Sequence, residues 1–158
     1  MFAKTKTAIA AATLCAVGGL ALAGSHAQGE FAREIKARQA QMTLYAFNLG
    51  ILGAMAKGEA EYDAEAAAQA ANNLAAAKSI WMPTAWPAGS DNASVEGTRA
   101  LPAIWAADSD IGAKSQAMGE AVAALQAAAG TDLEALRGAI GPVGASCGGC
   151  HKPFRAEE

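Results

Sequence analysis

Two cysteines and a histidine carry the chemistry this sequence can offer: Cys147, Cys150 and His151, in the run Cys147-Gly148-Gly149-Cys150-His151. The order Cys-x-x-Cys-His is the attachment pattern for c-type haem. Two thiols three residues apart can each form a thioether with one haem vinyl group, and the next histidine is then held under the iron as its proximal ligand. Other chemistries fit this spacing less well. A structural zinc needs about four ligands, and this stretch offers Cys147, Cys150 and His151 alone. A thioredoxin-like dithiol expects a βαβ setting, which the helical periodicity of the chain denies. A plain disulfide, and with it a haem-free secreted module, leaves the neighbouring histidine without a role.

The start of the chain supports attachment outside the cytoplasm. Lys4 and Lys6 form a basic region, an apolar run follows over residues 8–23, and small-x-small sites close it at Ala21-Leu22-Ala23 and Ser25-His26-Ala27. This pattern is expected of a secretory signal peptide over residues 1–27, cut before Gln28. The apolar run is about 16 residues, short of the ~20 that span a bilayer. Cys15 does not read as a lipoprotein cysteine, because Leu14 stands where a small residue is needed. Removal of residues 1–27 takes away Cys15 and His26, so the mature domain, 28–158, keeps Cys147, Cys150 and one histidine. A single histidine rules out triad catalysis and polyhistidine metal clusters, and the chain does not read as an enzyme.

Composition narrows the rest. The 158 residues suit one domain after processing. Charged residues make up 17%, too few for a disordered chain. A formal charge of −3 and a pI near 5.4 argue against a phosphate-binding surface, so nucleic acid is not an expected partner. Only 6% is aromatic and alanine is abundant, which argues against a β-sandwich or barrel. No later segment is apolar enough to span a membrane.

Four helical segments must position the motif. Over residues 31–56, Ile35, Met42, Leu49 and Ala56 recur every seven residues, with Tyr45 and Leu52 between them, and Lys57-Gly58 ends the run. Asp63 is suited to cap a second helix over 64–81, with Ala67, Ala71, Leu74 and Trp81 inward. Pro83, Pro87, Gly89 and Gly97 mark a long loop. Pro102 suits the first turn of a third helix, along which Ile104, Ile111, Met118 and Leu125 repeat until Gly130. Thr131 and Glu134 form a capping box for the fourth, whose stripe is Leu133, Leu136, Ile140, Val143, Cys147, Cys150 and Phe154. Gly141-Pro142 is expected to bend or loosen it. Short first and last connections make this an all-α, antiparallel up-down-up-down four-helix bundle, with haem near the C-terminal end of the fourth helix. A bundle so rich in alanine gains from a bulky apolar occupant.

The sixth iron ligand has to come from upstream, because no methionine follows His151. Met42, Met55, Met82 and Met118 are available. A third helix starting at Pro102 puts Met118 roughly 23 Å up from the His151 end, too far to reach. Met55 lies near the wrong end of the first helix, and Met82 enters a loop. Met42, in the lower half of the first helix and on its inward stripe, is the best placed. Either it ligates the iron, giving a low-spin centre suited to electron transfer, or it lines an open distal pocket where high-spin iron binds NO or CO.

Several stretches resemble class II c-type cytochromes, the family of cytochrome c′ and its low-spin relatives, across the whole mature chain. They are Ala37-Arg38-Gln39 ahead of Met42, Ala54-Met55-Ala56-Lys57-Gly58-Glu59 with Tyr62-Asp63-Ala64, Ala103-Ile104-Trp105, and residues 143–155. The resemblance implies covalent haem c on Cys147 and Cys150 with His151 on the iron, and Met42 at the distal position. It implies that Arg38 and Gln39 sit near the propionates, Thr98 and Arg99 at the haem edge, and Arg155 over the proximal side. Trp81, Trp86 and Trp105 are expected to pack around the haem end. It also implies homodimers through the first two helices, here aided by an alanine-rich outer face on the second. Two features depart from the family: Pro153 just after the ligand, and the flexible Gly148-Gly149 linker. The expected function is a periplasmic monohaem electron carrier serving redox partner proteins, with a gas-binding cytochrome c′ as the alternative.

Overall fold

The computed structural model describes residues 29–80 and 82–157, so the signal peptide, its cut site before Gln28, and Trp81 lie outside the described residues. Four helices form: α1 (Ala32–Lys57), α2 (Ala64–Ser79), α3 (Ile111–Ala128) and α4 (Leu133–Phe154). Short 3-10 turns at Pro83–Ala85 and Pro102–Trp105 interrupt the long α2–α3 crossover. Among the described residues there is no strand, only an isolated antiparallel bridge between Ala100 and Arg155. No described helix is long and apolar enough to cross a membrane.

Local chemistry sets the helix ends. Gly58, at φ 78°, closes α1 in the left-handed conformation that glycine adopts without steric cost. Asp63 caps α2 by accepting from the Ala66 N–H at 2.8 Å. Helix α2 ends at Ser79, ahead of the expected 81, because Ile80 is extended at ψ 106°, and two helix starts also differ from the sequence reading. The cap of α4 is Asp132, which accepts from the Ala135 N–H at 2.8 Å, not Thr131. The third helix begins at Ile111, not Pro102. Pro102 does open a helical turn, but Ala106 is extended at ψ 150° and the chain restarts from Asp110. Ile104 is buried by its 3-10 turn, which packs on α4, so its seven-residue spacing to Ile111 reports burial and not a shared helix.

Each helix packs on its chain neighbours, and α1 also packs on α4, closing a ring around Leu52, Leu74, Leu125, Leu136 and Val143. Four alanines of α2 face inward: Ala67, Ala70, Ala71 and Ala77 are buried, while Ala64, Ala66 and Ala76 lie exposed with Glu65, Gln69, Asn72 and Asn73. Alanine thus lies on both faces of α2, and on the inner one small side chains allow close helix approach. Gly130 serves the same end, since a Cβ there would lie 2.8 Å from Ala68 Cβ. Helix α4 runs unbroken through Pro142; the freed Gly138 carbonyl does not end it.

Candidate functional site

One end of the bundle is hollow. A cavity of about 620 Å³ opens between α1, the crossover, the start of α3 and the end of α4. Cys147, Cys150 and His151 line it from α4, and Met42, Tyr45, Ala46 and Leu49 from α1. That size falls in the ~300–1,000 Å³ range of cofactor pockets, and the walls are mostly apolar. Successive turns of α4 present both thiols and the imidazole to the same space, so the residues present fit a covalently held, largely apolar macrocycle. Cys147 and Cys150 are not joined to each other in a disulfide. Among the described residues no cluster of three histidine, cysteine or acidic side chains could hold a metal ion on its own.

Burial shapes the chemistry of these groups. It pushes the Cys147 and Cys150 thiols above their ordinary range. Burial, reinforced by the charges of Arg155 and Arg99, lowers the pKa of His151. Neutral imidazole, the form that ligates metals, is thereby favoured. Burial also raises the Tyr45 phenol to about 12, with a hydrogen bond from Gln41 opposing and Cys147 adding.

All the residues expected at the site reach the cavity: Arg38, Gln39, Met42, Thr98, Arg99 and Arg155 line it beside the motif. Met118 lines it too, which overturns its exclusion by distance. With α3 starting at Ile111, Met118 is seven residues from the helix start, about 10 Å along the axis. Met42 is 40% exposed, and it faces into the cavity.

Arg38 is more than a cavity wall. It is only 3% exposed, and its guanidinium grips the crossover. Nη1 donates to Ser90 Oγ at 2.7 Å and to Ala85 O at 3.4 Å, while Nη2 donates to Ser90 O at 2.5 Å and to Thr98 Oγ1 at 2.7 Å. Its charge lies 4.8 Å above the Trp86 ring, a cation–π contact. Gln39 Nε2 donates to Gly97 O at 2.8 Å, tying down the same loop. Trp86 meets Trp105 at 6.4 Å between ring centroids, and Trp105 Nε1 donates to Trp86 O. Ser90, fully buried, was not singled out by sequence; a lone loop serine carries no signal until its partner is known.

The family model described as Cytochrome C' matches residues 33–155 of the chain. The chain belongs to the cytochrome c′ family. It is 48% identical over 126 residues to cytochrome c-554 of Cereibacter sphaeroides, covering 80% of this chain and 95% of that protein. Against cytochrome c' of a Cereibacter sphaeroides strain, identity is 40% over 123 residues, covering 78% and 83%. The solved cytochrome c' from Rhodobacter spheriodes superposes with a TM-score of 0.79 at 38% identity, covering 82% of this chain and all of that one. A nitric oxide complex of a mutant cytochrome c prime from Alcaligenes xylosoxidans gives 0.70 at 33% identity, covering 80% and 97%. Like other members of the cytochrome c′ family, the chain is a c-type cytochrome with covalent haem c, folded as a four-helix bundle.

Proposed function

We propose that this cytochrome is a periplasmic one-electron carrier. Cys147 and Cys150 hold the haem by thioethers, His151 is the proximal iron ligand, and Met42 supplies the distal one. The observation that carries this is the shared cavity: a flexible thioether from α1 and the Cys-x-x-Cys-His run of α4 face the same space. When bound, the haem iron cycles between ferric and ferrous states, carrying one electron. The chain's part is to exclude water with an apolar wall, keep His151 neutral, and surround the centre with Arg38, Gln39, Thr98, Arg99 and Arg155. Gln39, Arg99 and Arg155 are proposed to meet the cofactor's polar edge. Thr98 Oγ1 already accepts from Arg38 and from the Ala100 N–H at 3.1 Å, leaving one O–H to offer. Residues 1–27 act as the export signal.

The test is Met42→Ala. Loss of a thioether ligand converts low-spin ferric iron to high-spin and lets the ferrous protein bind CO; an unchanged spectrum rejects ligation by Met42. The second reading, a high-spin protein that binds NO or CO, draws support from the Alcaligenes xylosoxidans relative, whose structure is a nitric oxide complex. Native protein that binds CO at once on reduction would favour it. Mass spectrometry of exported protein should give residues 28–158 plus one haem; bare polypeptide would remove both readings.

We propose further that two copies pair through α1 and α2. Phe47 is 65% exposed, with Leu44 beside it on α1 and Ile80 just past α2, also exposed. Beneath this patch Asn48 is 3% exposed, and its Oδ1 has no hydrogen-bond partner.

A further inference from the structure

The last turn of α4 lacks one rung of its own hydrogen-bond ladder. Pro153 has no N–H to give the Gly149 carbonyl four residues back. Gly148 and Gly149 weaken the helix further, because glycine loses the most backbone freedom on ordering. Yet this is the turn that presents His151.

The missing support comes from the crossover. Leu101 N–H donates to Phe154 O at 3.0 Å, and Ala156 N–H donates to Arg99 O at 2.8 Å. Arg99 Nε donates back to Ala156 O at 2.8 Å. Together with the antiparallel bridge between Ala100 and Arg155, they make a short two-stranded clasp. Arg155 N–H donates to His151 O at 2.9 Å, tying the clasp to the ligand residue. The other side of the clasp is held by Asn92, whose N–H donates to Ala100 O at 2.8 Å, and by Thr98. Its Oγ1 accepts from the Ala100 N–H at 3.1 Å and from Arg38 Nη2 at 2.7 Å. Arg38 in turn belongs to α1, a rigid 26-residue helix.

We infer that Arg38 is a positioning residue for His151, acting at a distance through Thr98 and the loop–tail clasp. A buried guanidinium on the first helix thereby sets the orientation of the iron ligand on the fourth. The forked donors of a guanidinium suit this role, since they hold Ser90 and Thr98 at once with little freedom left over. Ser90 joins the clasp by a second, longer route, since Asn92, two residues on, donates its N–H to Ala100 O at 2.8 Å. The inference rests on His151 being the iron ligand.

The experiment compares holoprotein variants Arg38→Met, Thr98→Val and Ser90→Ala by two readouts. Hydrogen exchange at the Leu101 and Ala156 amides reports the clasp. The ferric EPR signature and the reduction potential report the iron ligand. Arg38→Met and Thr98→Val are expected to speed exchange at both amides by roughly fivefold or more, the factor set by one ordinary hydrogen bond, and to shift the EPR signature and potential. Ser90→Ala is expected to have a smaller effect on all of them, because the Ser90 carbonyl still accepts from Nη2 and the Thr98 bond remains. Should Arg38→Met fail to fold, Thr98→Val, which conserves side-chain volume, carries the test alone. Unchanged exchange in Thr98→Val overturns the inference. So does faster exchange without a change at the iron, or an equal effect from Ser90→Ala. His151→Ala tests the ligand reading separately: an EPR signature that survives it removes that reading, whatever the clasp does.

Discussion

Tyr45 is a buried phenol on the wall of the haem cavity, and its titration follows from its surroundings. Its hydroxyl has a long contact to Ala77 O at 3.4 Å, little help to a phenolate. Burial raises its pKa from 10.0 to about 12. The folded-state value lies above that of the unfolded chain, so this contribution to stability is fully present below about pH 10. It is lost as the pH rises to about 12. In a Tyr62→Phe background, the phenolate absorbance should appear near pH 12. Appearance near 10 would mean that Tyr45 is solvated. Denaturation midpoints should fall across the same window, and Tyr45→Phe should flatten that fall. Met42 makes the complementary case at this scale: if its sulfur ligates the iron, as proposed, its replacement changes the spin state, and the absorption spectrum reads the change.

At the scale of the elements, the α3–α4 turn is held by contact. Gly130 brings the turn against α2, where an added Cβ would meet Ala68 Cβ at 2.8 Å and the Ala64 carbonyl at 3.3 Å. Neither neighbour is a flexible side-chain end. Gly130→Ala should therefore cost about 1–3 kcal/mol, the usual range for overpacking a close contact, read as a lower denaturation midpoint. Stability equal to the native protein's would show that α2 and the turn can separate freely. The neighbouring Tyr62 hydroxyl donates to Ala129 O at 3.0 Å, and Arg137 Nε donates to Ala56 O at 2.7 Å, so both turns at this end are cross-tied. The haem-bearing turn of α4 is held by the crossover as well as by its own backbone ladder.

For the whole molecule, the proposed pairing makes its own prediction. Phe47 and Leu44 are exposed on the same helix, and the proposed pairing would cover them. Phe47→Lys should convert a dimer to a monomer in sedimentation at micromolar concentration, with the absorption spectrum unchanged because Phe47 is not on the cavity wall. A native protein that sediments as a monomer would dispose of the pairing.

Much of this molecule is legible in the linear order of its residues, and the reason is locality. Cys147, Cys150 and His151 are close in the chain, so their joint chemistry needs no fold to be seen. Asp63 and Gly58 act on backbone within four residues of themselves, so the ends they set are visible too. The heptad spacings announce four inward stripes and therefore a bundle. Other features depend on partners far along the chain. The sequence places Arg38 near the cofactor but gives no sign that its guanidinium also grips Ser90 and Thr98, 52 and 60 positions away. Met118 reads as distant until α3 is seen to start at Ile111. Periodicity records which residues are buried, not whether one helix or two turns bury them, so Ile104 and Ile111 looked continuous. The clasp across Pro153 likewise exists only once loop and tail meet. Tertiary packing alone decided these, because a hydrogen bond between distant segments leaves no mark on the spacing of either.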